Sequence, residues 1–181
     1  MGRRHFRAIA GCFAAIAFVA GCGGVFWPYS VKPYEDEFTG ARGVAMRNNE
    51  VAGPAMESGR LFLDVRRLDD GAASRLILEV RYMAPDWMFI RPGESLVFLV
   101  DGERLPVSGE GSAGRREVEA AGGAVTVYEQ ATYAIDPSVL RRIGSASEVR
   151  MRISGQARNL ERRLSQQNLE RFAAFAAEHA R

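Results

Sequence analysis

The feature that constrains most of this chain is a period-two alternation of apolar and polar residues, carried in short runs that stop at Asp, Gly or Pro. From Arg60 to Leu68, Leu61, Leu63 and Val65 alternate with Phe62 and Asp64, and Asp69-Asp70-Gly71 supplies turn chemistry. From Ser74 to Tyr82, Leu76, Leu78 and Val80 share one face, while Arg75, Glu79 and Arg81 point the other way with Ile77. Ser95 to Val100 ends at Asp101-Gly102, the strongest short hairpin signal in the chain, with Glu103 to Val107 returning. Further strands fit Arg115 to Glu119, Ala124 to Ile135 and Glu148 to Ser154, and Gln156 to Leu164 is expected to pair back across Gly155.

Helix signals appear only late. Asp136-Pro137-Ser138 offers an N-cap and a proline at the first helical position, leading into Val139, Leu140 and Ile143 before Gly144. Ser165 caps a final helix on which Leu169, Phe172, Ala173 and Ala176 form one apolar stripe, a spacing expected of a packing face. The pattern predicts a mainly β fold, an antiparallel β-sandwich or a partly open barrel, with the short helix and the C-terminal helix closing an end or an edge.

Ahead of this domain, Arg3, Arg4 and Arg7 precede an uncharged Ala-rich run, Ala8 to Ala20, that closes on Val19-Ala20-Gly21-Cys22-Gly23. The segment resembles the signal peptide of a bacterial lipoprotein, with Val19-Ala20-Gly21-Cys22 on the lipobox pattern. The resemblance implies diacylglyceryl transfer to the Cys22 thiol, cleavage between Gly21 and Cys22, and a palmitate-type acyl anchor in the membrane. Two or more chains hold firmly, at about 0.8 kcal/mol per buried methylene. It divides the chain into a signal peptide at 1–21, a lipidated N-terminus and tether at 22–39, and a single domain at 40–181. Gly23 rather than Asp after the cysteine favours the periplasmic face of the outer membrane over the inner membrane.

Other readings of the leader are weaker. Ala8 to Trp27 is long enough to span a bilayer, but its Ala and Gly content suits a retained helix poorly. Too little apolar length precedes the second tetrad, Ile9-Ala10-Gly11-Cys12. Arg3-Arg4-His5-Phe6 resembles a twin-arginine signal, yet Arg7 sits where that family has a hydrophobic residue. The general secretory route is favoured and both stay open. From Tyr133 to Ile135, through the short helix and Ser147 to Ser154, to the helix with Phe172 and Phe175, the chain resembles the tail of uncharacterised envelope lipoproteins. That resemblance implies no particular activity.

Composition prunes the chemistry. The chain carries 24 basic and 22 acidic residues, and removing Arg3, Arg4 and Arg7 leaves 21 against 22. The basicity belongs to the leader, so no concentrated cationic footprint for nucleic acid is expected. Cys12 and Cys22 are the two cysteines, and of the histidines only His179 lies beyond the leader. Neither a disulfide, nor a soft-metal site, nor a Ser-His-Asp or Cys-His triad is expected, and no cofactor or metal is assigned.

Four candidate sites remain. Gly109-Glu110-Gly111-Ser112-Ala113-Gly114 satisfies GxGxxG on paper, but without a following helix it reads as a hairpin connection. Asp69 with Asp70, or Glu117 with Glu119, suggests a carboxylate pair of the kind glycoside hydrolysis needs, but turns and solvent faces carry charge in any case. Glu35-Asp36-Glu37 reads as a surface charge run. Trp87-Met88-Phe89-Ile90 is the better candidate, because an extended segment apolar on both sides is either buried twice, here as a strand between the sheet and the C-terminal helix, which is the favoured reading, or a contact surface facing a partner or lipid. Trp87 and Phe89 are expected on one side, Met88 and Ile90 on the other. The sequence thus predicts a lipid-anchored envelope protein without a catalytic role, acting in interaction, assembly or binding and meeting the membrane through Cys22 and an envelope protein partner through residues 87–90. An envelope hydrolase using a carboxylate pair is the alternative.

Overall fold

The computed structural model describes residues 27–35, 37, 40–55, 57–71, 73–118 and 125–180. Gly21, Cys22 and the run before them lie outside the described residues. One antiparallel sheet contains β1 (Ser30–Glu35), β2 (Arg42–Arg47), β3 (Arg60–Asp69), β4 (Ser74–Ala84), β7 (Ser112–Val118) and β8 (Val125–Ile135), in the order β1-β2-β3-β4-β8-β7. The second contains β5 (Gly93–Val100), β6 (Glu103–Gly109), β9 (Val149–Ser154) and β10 (Asn159–Arg163), in the order β10-β9-β5-β6. Helix α1 (Pro137–Gly144) bridges β8 to β9, and α2 (Gln166–His179) follows β10. The two sheets are separate and do not close into a barrel.

The alternation places the core. Leu61, Leu63 and Val65 of β3 and Leu76, Leu78 and Val80 of β4 are buried, as are Leu96, Phe98 and Val100 of β5 and Val149, Met151 and Ile153 of β9. Each such side chain contributes about 1.5 to 3 kcal/mol on burial. Inside this apolar layer Ser95 and Tyr133 hydrogen-bond to each other at 2.9 Å, so neither hydroxyl is left unpaired. The Asp101-Gly102 hairpin forms as its sequence demands. Both residues have positive φ, 48° and 88°, matching the right-handed twist of β5 and β6. The Asp101 carboxylate also accepts from the backbone N–H of Ser147 and Glu148, pinning the chain that enters β9.

Three elements differ from the sequence expectation. The segment expected as tether supplies β1, which pairs with β2 from Ser30 to Glu35. Pro33 is accommodated because β1 is an edge strand and needs no ladder donor on its outer side. Residues 109–114 do not make a hairpin. They carry the chain from β6 in the smaller sheet to β7 in the larger, and β7 begins at Ser112, three residues earlier than expected. On α2 the buried stripe is Leu169, Phe172, Phe175 and Ala176, whereas Ala173 is exposed. Phe175 sits three residues from Phe172 and covers the larger area, which turns that face inward.

Both helices are capped by their predicted residues. The Asp136 carboxylate accepts from the Ser138 N–H at 2.8 Å, and Ser165 forms a reciprocal capping box with Asn168. Asn168 also donates to the Asn49 side-chain oxygen at 2.8 Å and the Glu50 carbonyl at 2.9 Å, fastening α2 to the chain after β2. Arg141 of α1 donates to the Ala180 carbonyl at 2.6 Å, which ties the two helix ends together. Among the described residues, no helix is long and apolar enough to cross a membrane.

Candidate functional site

At one end of the sandwich the chain crosses twice between sheets, through residues 85–92 from β4 to β5 and through residues 110–111 from β6 to β7. The β9–β10 turn packs beside them. Trp87 to Ile90 is therefore a loop and not a strand, because Phe89 takes φ +54° and turns the backbone out of the extended region. A bulky residue there is an outlier, and such strain persists only where the surroundings hold it. The expected division of faces is nonetheless present. Met88 and Ile90 are buried, while the half-buried Trp87 ring stacks on the exposed Phe89 ring at 5.5 Å between centroids and 14° between planes. Phe89 is 48% exposed.

What holds this loop is a buried carboxylate. Glu129 of β8, 1% exposed, accepts from the Met88 N–H at 2.8 Å, the Ile90 N–H at 2.6 Å and the Ser112 hydroxyl at 2.5 Å. Among the described residues no arginine forms an ion pair with it, so these three donors supply its solvation. The loop carbonyls are satisfied as well. Phe89 O accepts from Gln156 N at 2.9 Å, Met88 O from Ala157 N at 3.2 Å and Ile90 O from Ser112 N at 3.1 Å. Gly114 of β7 lies under the indole, where a Cβ would come within 2.4 Å of Trp87 Cζ3. The last glycine of the paper GxGxxG is thus the seat of a tryptophan, and Gly111, at φ +94°, makes the turn between sheets. A groove of about 760 Å³ runs beside this end, walled by Trp27, Arg81, Met83, Gly114, Arg115 and Tyr128.

Glu129 lies at an inward position of β8, in phase with buried Val127, Ala131 and Tyr133. A charge in the apolar phase of an alternating strand was the signal that could have found it. We expect Glu129→Gln to cost about 1 to 3 kcal/mol, since the amide keeps one acceptor oxygen and sets an N–H group against a backbone donor. Chemical denaturation would read the loss, and faster hydrogen exchange at the Met88 and Ile90 amides would place it in this loop.

The other buried acids lie on the outer face of the larger sheet, where Asp64 and Glu79 are cross-strand partners. Glu79 is held by Arg47 at 2.9 Å and Arg66 at 3.0 Å. Asp64 accepts from Arg81 at 2.7 Å and from the Asn49 N–H at 3.0 Å. Burial pushes the Asp64 carboxyl above its ordinary pKa, against the pull of Arg81. Asp69 pairs with Arg67 and Asp70 with Arg75 around the β3–β4 turn, Glu117 pairs with Arg115 at an exposed edge, and Glu119 lies outside the described residues. Of the Glu35-Asp36-Glu37 run, Glu35 pairs with Arg42 and Asp36 lies outside the described residues. Among the described residues no three His, Cys, Asp or Glu side chains gather as a metal site would require.

Fold and site together define a two-sheet antiparallel protein, capped by two helices, that presents a stacked aromatic pair on a clamped loop. No protein-family model matches this chain, and neither a curated protein nor a solved structure does.

Proposed function

We propose that this chain is a lipid-anchored protein of the bacterial cell envelope, tethered through acylated Cys22 at the periplasmic face of the outer membrane. Its β-rich domain is a non-catalytic module that engages an envelope protein partner through Trp87 and Phe89. The observation that carries the binding role is exposed Phe89 stacked on half-buried Trp87, on a strained backbone whose donors and acceptors are nearly all committed. A loop held this firmly loses little conformational entropy on binding, and rigid aromatics are the residues that dominate contact energetics. Val19-Ala20-Gly21-Cys22 supports the address. Covalent reach adds a constraint, since five extended steps from Cys22 to Trp27 span at most about 18 Å. A domain anchored in this way works close to the bilayer.

The test is a photo-crosslinking amino acid placed at Phe89 in cells, with a second at exposed Arg75 as control. We expect a discrete envelope-protein adduct from position 89 that Trp87→Ala abolishes and position 75 does not give. Phe89→Gly separates binding from folding. It removes the ring and relieves the positive φ, so the melting temperature should hold or rise while the partner is lost. A parent-like adduct yield from position 89 in the Trp87→Ala background, or unchanged co-purification of the partner with Phe89→Gly, would sink the assignment.

A further inference from the structure

The outer face of the smaller sheet carries a like-charge arrangement that folding does not explain. Register places Arg163 of β10 directly opposite Arg150 of β9, Arg150 opposite Leu99 of β5, and Leu99 opposite Arg104 of β6. Three guanidinium groups therefore share one row across four strands spaced about 4.8 Å apart, with Leu99 as floor. Like charges directly opposite in a sheet are destabilising. Two carboxylates, Glu94 and Glu161, line the same groove and are outnumbered by its arginines. Arg104 reaches Glu94 at 2.9 Å, and Arg163 reaches Glu148 only at 3.6 Å. In the next row Arg152 is taken by Glu161. Arg150, in the middle, has no carboxylate within ion-pair distance among the described residues. The row borders a groove of about 550 Å³ with half-buried Val97 and Leu99 beneath the arginines.

We infer that this face docks on anionic phospholipid headgroups, with Arg150, Arg163 and Arg104 converging on phosphate and Leu99 and Val97 meeting the glycerol and upper acyl region. Charge complementarity selects the occupant, since arginine forks match phosphate oxygens in pairs and are weakly hydrated enough to give up water. The local cluster suffices for a headgroup, although the domain as a whole is close to neutral. The inference rests on the membrane-anchored reading, and the test uses added vesicles so that the two fail separately.

The full chain is incubated with phosphatidylglycerol vesicles, with phosphatidylcholine vesicles, or with inorganic phosphate at matched phosphate concentration, and arginine modification by phenylglyoxal is followed residue by residue. We expect the first to slow labelling of Arg150 and Arg163 several-fold relative to the second, with Arg75 on the larger sheet unchanged. Arg150→Gln with Arg163→Gln should weaken the preference for anionic vesicles roughly 25-fold, about fivefold for each arginine near a charged surface. These exposed substitutions also remove a like-charge contact, so the fold should persist. Equal labelling in both vesicle types overturns the inference, as does equal protection by inorganic phosphate, which would make the row a free-anion site. Protection that persists in a chain whose Cys22 takes no lipid leaves the face assigned and removes only the anchor.

Discussion

Phe172→Ala is expected to lower stability by about 3 to 5 kcal/mol, the range for emptying a buried aromatic site. Phe172 is fully buried, and its helix neighbours Leu169, Phe175 and Ala176 are buried with it. The cavity cannot collapse easily. On one side α2 lies against α1, where a Cβ on Gly144 would approach the Ala173 backbone nitrogen to 2.6 Å. Both ends of the helix are fixed, by Asn168 on Asn49 and by Arg141 on Ala180. A domain whose whole stability is about 5 to 15 kcal/mol loses a large share of it. Thermal and denaturant unfolding should both show an early transition. A variant that melted with the parent while losing a crosslinked partner would make this helix face an interaction surface and reverse its assignment to the core.

Cys22→Ala is expected to abolish lipidation altogether, because no cysteine follows position 22 and an alanine has no thiol to alkylate. The effect is all or none. Fatty-acid metabolic labelling should lose its signal at this chain, and the precursor should either stall uncleaved or leave the membrane fraction. Two or more acyl chains make anchoring effectively permanent, so no partial retention by the anchor is expected once they are gone. Continued labelling of Cys22→Ala would overturn the lipoprotein reading. Any residual vesicle binding would then be assigned by the arginine footprint at Arg150 and Arg163.

Several elements are legible in the sequence itself. The β3–β4 hairpin follows from alternation on either side of Asp69-Asp70-Gly71, and Asp101-Gly102 carries its turn type in its residues. Asp136 and Ser165 cap the helices at the expected positions because capping is local chemistry. The inward turn of Met88 and Ile90 against exposed Phe89 agrees with the alternation, but the expected strand between sheet and C-terminal helix is absent and Trp87 is half-buried. The break at Phe89 is not legible, because nothing about a phenylalanine calls for positive φ. Only Glu129, 40 residues further along, and the carbonyl contacts to Gln156 and Ala157 impose it.

Outward charges were the other blind spot. Asp64 and Glu79 stand in the solvent phase of their strands, where acids are ordinary, yet both are buried beneath arginines from β2, β3 and β4. The arginine row on the smaller sheet is invisible for the same reason. Arg104, Arg150 and Arg163 are 46 and 13 residues apart and meet only through strand register. Sequence alone determined the strand-rich class, its turns and caps, and the lipobox pattern, because each depends on neighbours a few residues away. Tertiary structure alone decided which strands share a sheet, where the buried carboxylates find their donors and which arginines converge, because those depend on register between segments that local preference leaves free.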